Sequence, residues 1–487
     1  AFKVQGIVTD EKGEGLPGAS VWVKGTVVGA GTNAKGEFSF KLSSKNKCVL
    51  RVSFTGYEPQ EREVTPGGDS LYRFVLTPSN NALNEVVITG TRTLKPLKDV
   101  PVLTRVISQE DIAQVNPLDL QSLLEYEMPG LQFGLAHGSG LPELKFQGSA
   151  GGYVLFMIDG ERIAGEGSSN NIDYSLIDMD NVERIEIVKG PMSTLYGSQA
   201  MGGVVNIITK DANRPFTGNV SVRYGNNDES KYSLSLGTKQ GRFSALTSLS
   251  YRKREAYALK DKEGQIEYSY YKDIYGRDSV VADTSKKGMS SVNGFEIWQA
   301  NQKLSYTFNE NFRISLNGTY YNNDVLEYVE QKEQDRFSNY SINPRVYYAI
   351  NASHILDFSY VLENYEKRYV YTTSLPSKKV FGDFTNTVRL NYTGSIHEKH
   401  TLTAGIEVNT QKLQHYWFDN GSGKKFDAQT YVLYLQEDYK ISNSFSMLAG
   451  VRSDCHSKYG FHASPKISLM YKYGVLTLRG GYGMGFR

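Results

Sequence analysis

The stretch NVERIEIVKGPMSTLYGSQAMGGVVNIITK, residues 181–210, carries the reading of the fold. Val182–Val188 alternates Ile and charge, the period of a strand with one buried face. Lys189-Gly190-Pro191 breaks that strand, and Leu195-Tyr196-Gly197 marks a second break. Gly202-Gly203-Val204-Val205-Asn206-Ile207-Ile208-Thr209 is apolar and β-branched again. Gly190, Gly197, Gly202 and Gly203 permit positive φ and close backbone approach, which a unit folded in a confined space requires.

Upstream of this stretch the chain is mixed. Val102–Ile107 reads as a strand, and Ser108 as the N-cap of a helix with an acid three residues on. Asp119–Glu125 is a second short helical pattern that Pro129-Gly130 stops. Tyr153–Ile158 is an apolar strand ending in an Asp159-Gly160 turn. Residues 99–215 are therefore predicted as one compact α/β unit.

Downstream, from Thr217, the texture is alternation with period two. Phe312, Ile314, Leu316, Gly318 and Tyr320 share one face, with Arg313, Ser315, Asn317 and Thr319 on the other. Leu402, Ala404, Ile406 and Val408 likewise alternate with Thr403, Gly405, Glu407 and Asn409. Such strands suit a sandwich, or a membrane barrel with apolar residues toward lipid and polar ones toward the lumen. The connections are unequal: Asn309–Asn311, Ile396–Lys399 and Ser442–Ser444 are tight, and Ala256–Asn293 and Gln414–Lys425 are long and polar. In a barrel the tight turns are periplasmic and the long ones external.

Residues 1–78 read as short strands between glycine turns, a small β-sandwich. The polar TPSNNAL, residues 77–83, follows as a linker. Next comes Glu85-Val86-Val87-Ile88-Thr89-Gly90-Thr91, a β-prone segment that is either a strand of a flanking domain or a piece able to add to a partner's sheet edge.

Bulk composition narrows the function classes. The 487 residues carry 54 Lys+Arg against 52 Asp+Glu, without the basic excess of a nucleic-acid binder. Cys48 and Cys455 lie in different predicted domains, which disfavours a disulfide between them. No apolar run is long enough for a transmembrane helix. The 34 tyrosines suit a membrane–water boundary. Gly421–Lys425 lacks the glycine and hydroxyl of a phosphate-binding loop, and no HExxH or GxSxG motif occurs. No enzyme activity is expected. Asp173, Asp178 and Asp180 form an acidic run, either a solvated turn or hard oxygens for calcium.

Three groups of strings resemble known families. GIVTDEKGEGLPGASVWVKGT from Gly6, TNAKGEFSF and VSFTGYEPQ resemble the carboxypeptidase-regulatory-like domain of Bacteroidetes outer-membrane receptors. LLEYEMPGLQF, VLFMIDGERI and the stretch at 181–210 resemble the plug of TonB-dependent outer-membrane receptors. GYGMGFR at the end resembles a mid-barrel strand of that family. The resemblance implies a mainly β fold: sandwich 1–78, linker with TonB box 79–98, mixed α/β plug 99–215, and strands from 216 to 487. The last would be part of an antiparallel transmembrane barrel of about 22 strands, so the chain is expected to be truncated or its barrel completed by a second piece. Ala1 leads straight into a strand, as after removal of a signal peptide.

The resemblance also implies function: TonB-dependent import of a scarce nutrient across the bacterial outer membrane. Glu85, Val86, Val87, Ile88, Thr89, Gly90 and Thr91 would contact TonB, energised from the inner membrane. Outer-membrane lipid and a surface lipoprotein are further partners. MPGLQFGLAHGSGLPELKFQG is most similar to the haem/haemoglobin receptor branch, beside branches for cobalamin and ferric siderophores. The cargo expectation is therefore haem or another iron or metal chelate, with no intrinsic cofactor. Haem takes an axial His or Tyr, and the candidates are His137, in a glycine-rich loop, and His415 and Tyr416, placed in a long outer loop. Each is otherwise a solvated loop residue. His456 is expected to be structural at a strand–loop junction. The alternative function is a surface adhesion barrel that binds without transporting.

Overall fold

A computed structural model describes residues 2–486, except 25–27, 43–46, 55–56, 66–70, 78–85, 94, 129–130, 136–141, 147–148, 166–171, 261–266, 273–277, 284–288, 328–332, 352, 372–374, 398, 416–424 and 475.

Among the described residues the N-terminal unit holds seven strands: β1 (Phe2–Asp10), β2 (Ser20–Val23), β3 (Gly29–Gly31), β4 (Glu37–Leu42), β5 (Cys48–Ser53), β6 (Gln60–Val64) and β7 (Leu71–Leu76). They form two sheets, ordered β4-β1-β7 and β3-β2-β5-β6. Alternate residues point between the sheets, so Val4, Val8, Val21, Phe40, Leu50, Val52, Phe74 and Leu76 make one core. Each such side chain stabilises by about 1.5–3 kcal/mol. Asn33 closes the predicted turn, its Oδ1 accepting from the N–H groups of Lys35 and Glu37.

A short pair, β8 (Val86–Val87) and β9 (Lys95–Pro96), precedes the plug. The plug contains β10 (Thr104–Ile107), α1 (Gln109–Val115), α2 (Leu120–Glu127), β11 (Leu131–Leu135), β12 (Pro142–Phe146) and β13 (Ser149–Ala150). It continues with β14 (Val154–Ile158), β15 (Glu161–Arg162), β16 (Val182–Lys189), α3 (Ser193–Tyr196) and β17 (Gly203–Thr209). Ser108 caps α1 in a reciprocal capping box with Asp111, as its spacing predicts. Its central sheet is ordered β10-β16-β17-β14-β15. One face, with Ile185, Ile187, Val205 and Ile207, packs with Leu120, Leu123 and Leu124 of α2. The other, with Val188, Val204, Leu155 and Met157, packs with Val87 and with wall residues Val432, Tyr434 and Leu448. Gly203, at φ 154, brings β17 so near Val188 that a Cβ would stand 2.5 Å from its carbonyl oxygen.

The wall begins with β18 (Thr217–Tyr224), β19 (Ser230–Gln240) and β20 (Phe243–Arg254). Two small hairpins follow: β21 (Tyr257–Lys260) with β24 (Met289–Val292), enclosing β22 (Glu267–Lys272) with β23 (Asp278–Asp283). The predicted loop Ala256–Asn293 is therefore β-structured along much of its length. The wall resumes with β25 (Gly294–Asn309), β26 (Phe312–Leu326), β27 (Glu333–Asn351), β28 (His354–Tyr371) and β29 (Lys378–His397). It ends with β30 (His400–His415), β31 (Lys425–Lys440), β32 (Phe445–His456), β33 (Gly460–Tyr473) and β34 (Leu476–Gly483). Thirteen strands, β18–β20 and β25–β34, form one antiparallel sheet in chain order. Its faces sort as the alternation predicts: Ile406 and Leu433 are 53% and 61% exposed, whereas Thr403 and Gln436, on the opposite face, are 2%. An exposed apolar face over a polar inner one is the arrangement of a lipid-embedded sheet around a filled lumen. Among the described residues no helix is long and apolar enough to cross a membrane. Cys48 and Cys455 are free, half-buried and exposed respectively.

Candidate functional site

The segment singled out at residues 85–91 lies where plug and wall meet. Glu85 falls outside the described residues. Val86 and Val87 are extended, and Val87 is buried. Ile88–Thr91 is a tight turn instead of a strand: Arg92 N–H donates to the Ile88 carbonyl at 2.7 Å. Thr89 and Thr91 are buried. The reason is a carboxylate the turn wraps around. Oε2 of Glu186 accepts from Ile88 N at 3.0 Å, Thr89 N at 2.9 Å and Thr89 Oγ1 at 2.7 Å. Its Oε1 accepts from Arg184 Nε at 3.0 Å. Glu186 is 0% exposed. A buried charge persists only when paired and hydrogen-bonded, and these contacts meet that requirement.

Neighbouring plug residues complete the hold. Asn206, directly across the sheet from Glu186, donates its Nδ2 to Thr89 Oγ1 at 2.9 Å. The Tyr196 hydroxyl donates to the Thr89 carbonyl at 3.0 Å. Burial pushes that hydroxyl up to about 12, so it stays a donor at neutral pH. Arg92, at φ 58, ties the turn to the wall. Its guanidinium lies between the rings of Tyr196 and Tyr434, with centroids at 4.7 and 4.9 Å. It also donates to the Leu195 carbonyl at 2.9 Å and the Tyr434 hydroxyl at 2.6 Å. Gln436 of β31 reaches the Thr91 carbonyl at 3.1 Å, and Lys95 pairs with Asp438.

The plug meets the wall through buried ions elsewhere. Glu161 of β15 pairs with Arg345 at 2.9 Å and Arg389 at 3.0 Å. Arg389 also bonds Glu407 at 2.7 Å. The acidic run is neither a solvated turn nor a calcium cage. Asp178 binds Lys231 at 2.7 Å, Asp180 binds Arg223 at 2.8 Å and Lys231 at 2.9 Å, and Asp173 takes Ser175 and Tyr321. Two of the three also cap local structure: Asp173 and Asp178 accept from backbone N–H two residues on. Among the described residues no cluster of three His, Cys, Asp or Glu side chains is placed to hold a metal.

The haem candidates separate. His137 and Tyr416 lie outside the described residues. His415 is not in a loop: it is the last residue of β30, because the strands run on into the predicted outer loop. It is half-buried, its ring edge-on to Phe381 with centroids 5.6 Å apart. His456, as expected, serves structure: its Nδ1 accepts from Lys458 and Tyr459 N–H. Sequence reasoning missed Glu186, Asn206, Tyr196, Arg92 and Glu161. A signal for one of them was present. Asn206 interrupts an otherwise apolar run in β17, a strand that packs on both faces, and a polar residue there needs a partner, whereas Glu186 sits among the other charges of β16.

Three families match the chain in succession. CarboxypepD_reg-like domain matches residues 4–88, TonB-dependent Receptor Plug Domain 96–204, and TonB dependent receptor-like, beta-barrel 260–487. The iron-regulated outer membrane virulence protein of Vibrio cholerae is 24% identical over 421 residues, 82% of this chain and 59% of that protein. The TonB-dependent receptor SusC of Bacteroides thetaiotaomicron is 30% identical over 263 residues, 52% of this chain and 24% of SusC. The chain thus spans only part of the length of these relatives. Among solved structures, the ferric enterobactin receptor PfeA of Pseudomonas aeruginosa superposes with TM-score 0.62 at 17% identity, covering 78% of this chain and 62% of that one. The siderophore receptor PiuA of Acinetobacter baumannii gives 0.59 at 15% identity, covering 80% and 65%. These likenesses establish the shared fold. With sandwich, plug and barrel sheet in the order of the three matched families, the chain is that of an outer-membrane β-barrel receptor, carrying a CarboxypepD_reg-like domain, a TonB-dependent receptor plug domain and part of a TonB-dependent receptor-like β-barrel.

Proposed function

We propose that the chain belongs to a transporter that imports a scarce nutrient across the outer membrane on energy delivered by TonB, and that Glu85–Thr91 is the segment TonB grips. The observation that carries the reading is the seat of this segment. Its turn is fastened to the plug's central sheet through Glu186 and, by way of Arg92, to the wall. A pull on it is therefore a pull on the plug. TonB would take the segment by strand addition, with backbone hydrogen bonds providing affinity. In the state described Val86–Val87 is extended and Ile88–Thr91 is turned, so the turn must open first.

The proposed cargo is an iron or metal chelate: haem, a ferric siderophore or cobalamin. Among the relatives are an iron-regulated protein and the vitamin B12 transporter BtuB of Vibrio vulnificus, 24% identical over 413 residues. For haem, the residue with a described position is His415, on the wall, with His137 and Tyr416 as further candidates. A surface lipoprotein remains part of the proposal as an accessory partner.

Deleting Glu85–Thr91 is expected to abolish uptake while cargo binding to whole cells survives. Unchanged uptake, as for a surface adhesin that needs no such segment, overturns the transport reading. A Soret shift on adding haem to the purified protein, lost in His415→Ala or His137→Ala, supports haem. Tight cobalamin binding without a haem shift replaces it.

A further inference from the structure

Asn206 occupies a position that the hold on the segment does not by itself explain. Its two polar atoms face different elements. Nδ2 donates to Thr89 Oγ1 at 2.9 Å, and Oδ1 accepts from Gly160 N–H at 3.0 Å. Gly160 stands at φ 83 and Asp159 at φ 51, so the β14–β15 turn occupies the left-handed region at both corners. Asp159 fastens this turn to β17, accepting from Thr209 N at 2.9 Å and Thr209 Oγ1 at 2.6 Å. The next residue is Glu161, the plug's ion-pair partner for Arg345 and Arg389 of the wall. One side chain, 1% exposed and fixed on a central strand, thus touches both the turn that the wall holds and the threonine that anchors the segment.

We propose that Asn206 is a positioning residue that relays the wall's grip on Glu161 to the buried segment at Thr89. The physical argument is geometric. An amide side chain is planar and rigid, so its donor and acceptor move together. If Glu161 leaves its arginines, the Gly160 N–H shifts, Asn206 Oδ1 follows or loses its partner, and the Thr89 contact changes with it. Thr89 Oγ1 then keeps only the Glu186 carboxylate. Energetic coupling is carried by chains of packed side chains and hydrogen bonds, and here the chain is Arg389, Glu161, Gly160, Asn206, Thr89. The inference rests on reading residues 85–91 as the segment TonB grips, but its test needs no TonB.

The test is a labelling experiment on the full-length chain in outer-membrane vesicles, with Cys48→Ser and Cys455→Ser as background. Ile88→Cys is the probe, and the rate of maleimide attachment reads opening of the turn. Glu161→Gln weakens the wall's grip and is expected to raise that rate about ten-fold, the equivalent of one charge-assisted hydrogen bond. In Asn206→Leu the basal rate rises, and adding Glu161→Gln changes it less than about two-fold, because the link is already cut. Asn206→Gln, which keeps both polar atoms but displaces them by one methylene, gives the same loss of coupling should Asn206→Leu fail to fold. Equal effects of Glu161→Gln in the Asn206 and Asn206→Gln backgrounds overturn the relay. No effect of Glu161→Gln on the probe with Asn206 intact also overturns it. Failure of TonB to bind the segment, with labelling as expected, leaves the relay standing and removes the reading of residues 85–91 as TonB's grip instead.

Discussion

The N-terminal sandwich and the plug are both small, glycine-punctuated β units, yet they solve the burial problem differently. The sandwich closes on itself: among the described residues its core cluster is drawn from Val4 to Leu76. The plug has one closed face, on α1 and α2, and one open face that is finished by Val432, Tyr434 and Leu448 of the wall. It also buries charge, at Glu186, Glu161 and Asp173, and part of the compensation comes from the wall. A unit built in the first way is expected to fold alone. A unit built in the second way is complete only inside its wall, and its attachment is polar enough to be undone. Apolar burial is non-directional, whereas ion pairs are lost once geometry shifts.

The sharpest way to break this contrast is Glu161→Ala. It leaves Arg389 with Glu407 but strips a buried carboxylate from between two arginines. Breaking a buried pair of this kind costs about 3–5 kcal/mol. Hydrogen exchange across β14–β15 should accelerate strongly while the sandwich is unaffected. A plug stabilised only by its own core would show no change. The complementary experiment is Leu50→Ala, at a side chain with no exposed surface in the sandwich. A cavity there costs about 2–5 kcal/mol. The sandwich transition in calorimetry should fall by about 10 °C or more, with the barrel transition in place. A joint shift of both transitions would show that the two units do not fold separately.

The same contrast explains what the sequence discloses. The sandwich was legible because its signals are local: alternation, and turns such as Asn33–Gly36. The plug's helices were legible too, since the Ser108–Asp111 box closes within three residues. The face sorting of the wall follows from period two alone. The lock on Thr89 was not legible, because its partner Glu186 lies 97 residues away in the chain. The acidic run was misread for the same reason. Asp178 and Asp180 look solvated until Lys231 arrives from β19, 53 residues away by the Asp178 bond. His415 was misplaced because nothing in a polar run says where a strand leaving the membrane ends.

A smaller effect sharpens the local side of that division. Ser108→Ala removes the side chain that accepts from Asp111 N and donates to Asp111 Oδ2. The loss is about 1 kcal/mol. It should appear as faster exchange in α1 alone, with the Glu186 contact unchanged. Spread of that loss into Ile88–Thr91 would mean that the closed and open faces of the plug are less separate than their contacts indicate.

The smallest predicted effect concerns pH, and it sets two carboxylates of one acidic run against each other. Burial alone would raise the Asp180 carboxyl, but Lys231, Ser233 and Arg223 outweigh it and hold the carboxyl below its ordinary value. Asp173 goes the other way: burial raises it despite hydrogen bonds from Ser175, Tyr321 and Asn323. The signs follow from proton linkage. Asp180, depressed when folded, contributes stability that is complete above the unfolded carboxylate value and fades as pH falls through the lower folded one. Asp173, raised when folded, contributes most below the unfolded value and loses that contribution as pH rises through the higher folded one. Mild acidification from neutrality should therefore add stability by relieving the buried charge of Asp173, before stronger acid loosens Asp180 from β18 and β19. Plug unfolding midpoints in urea, followed against pH, would read both limbs. Asp180→Asn should flatten the acid limb and Asp173→Asn the limb above it. A wild-type profile that Asp180→Asn leaves unaltered at its acid end would show that Lys231 holds the plug through Asp178 and Arg223 through the Pro117 carbonyl.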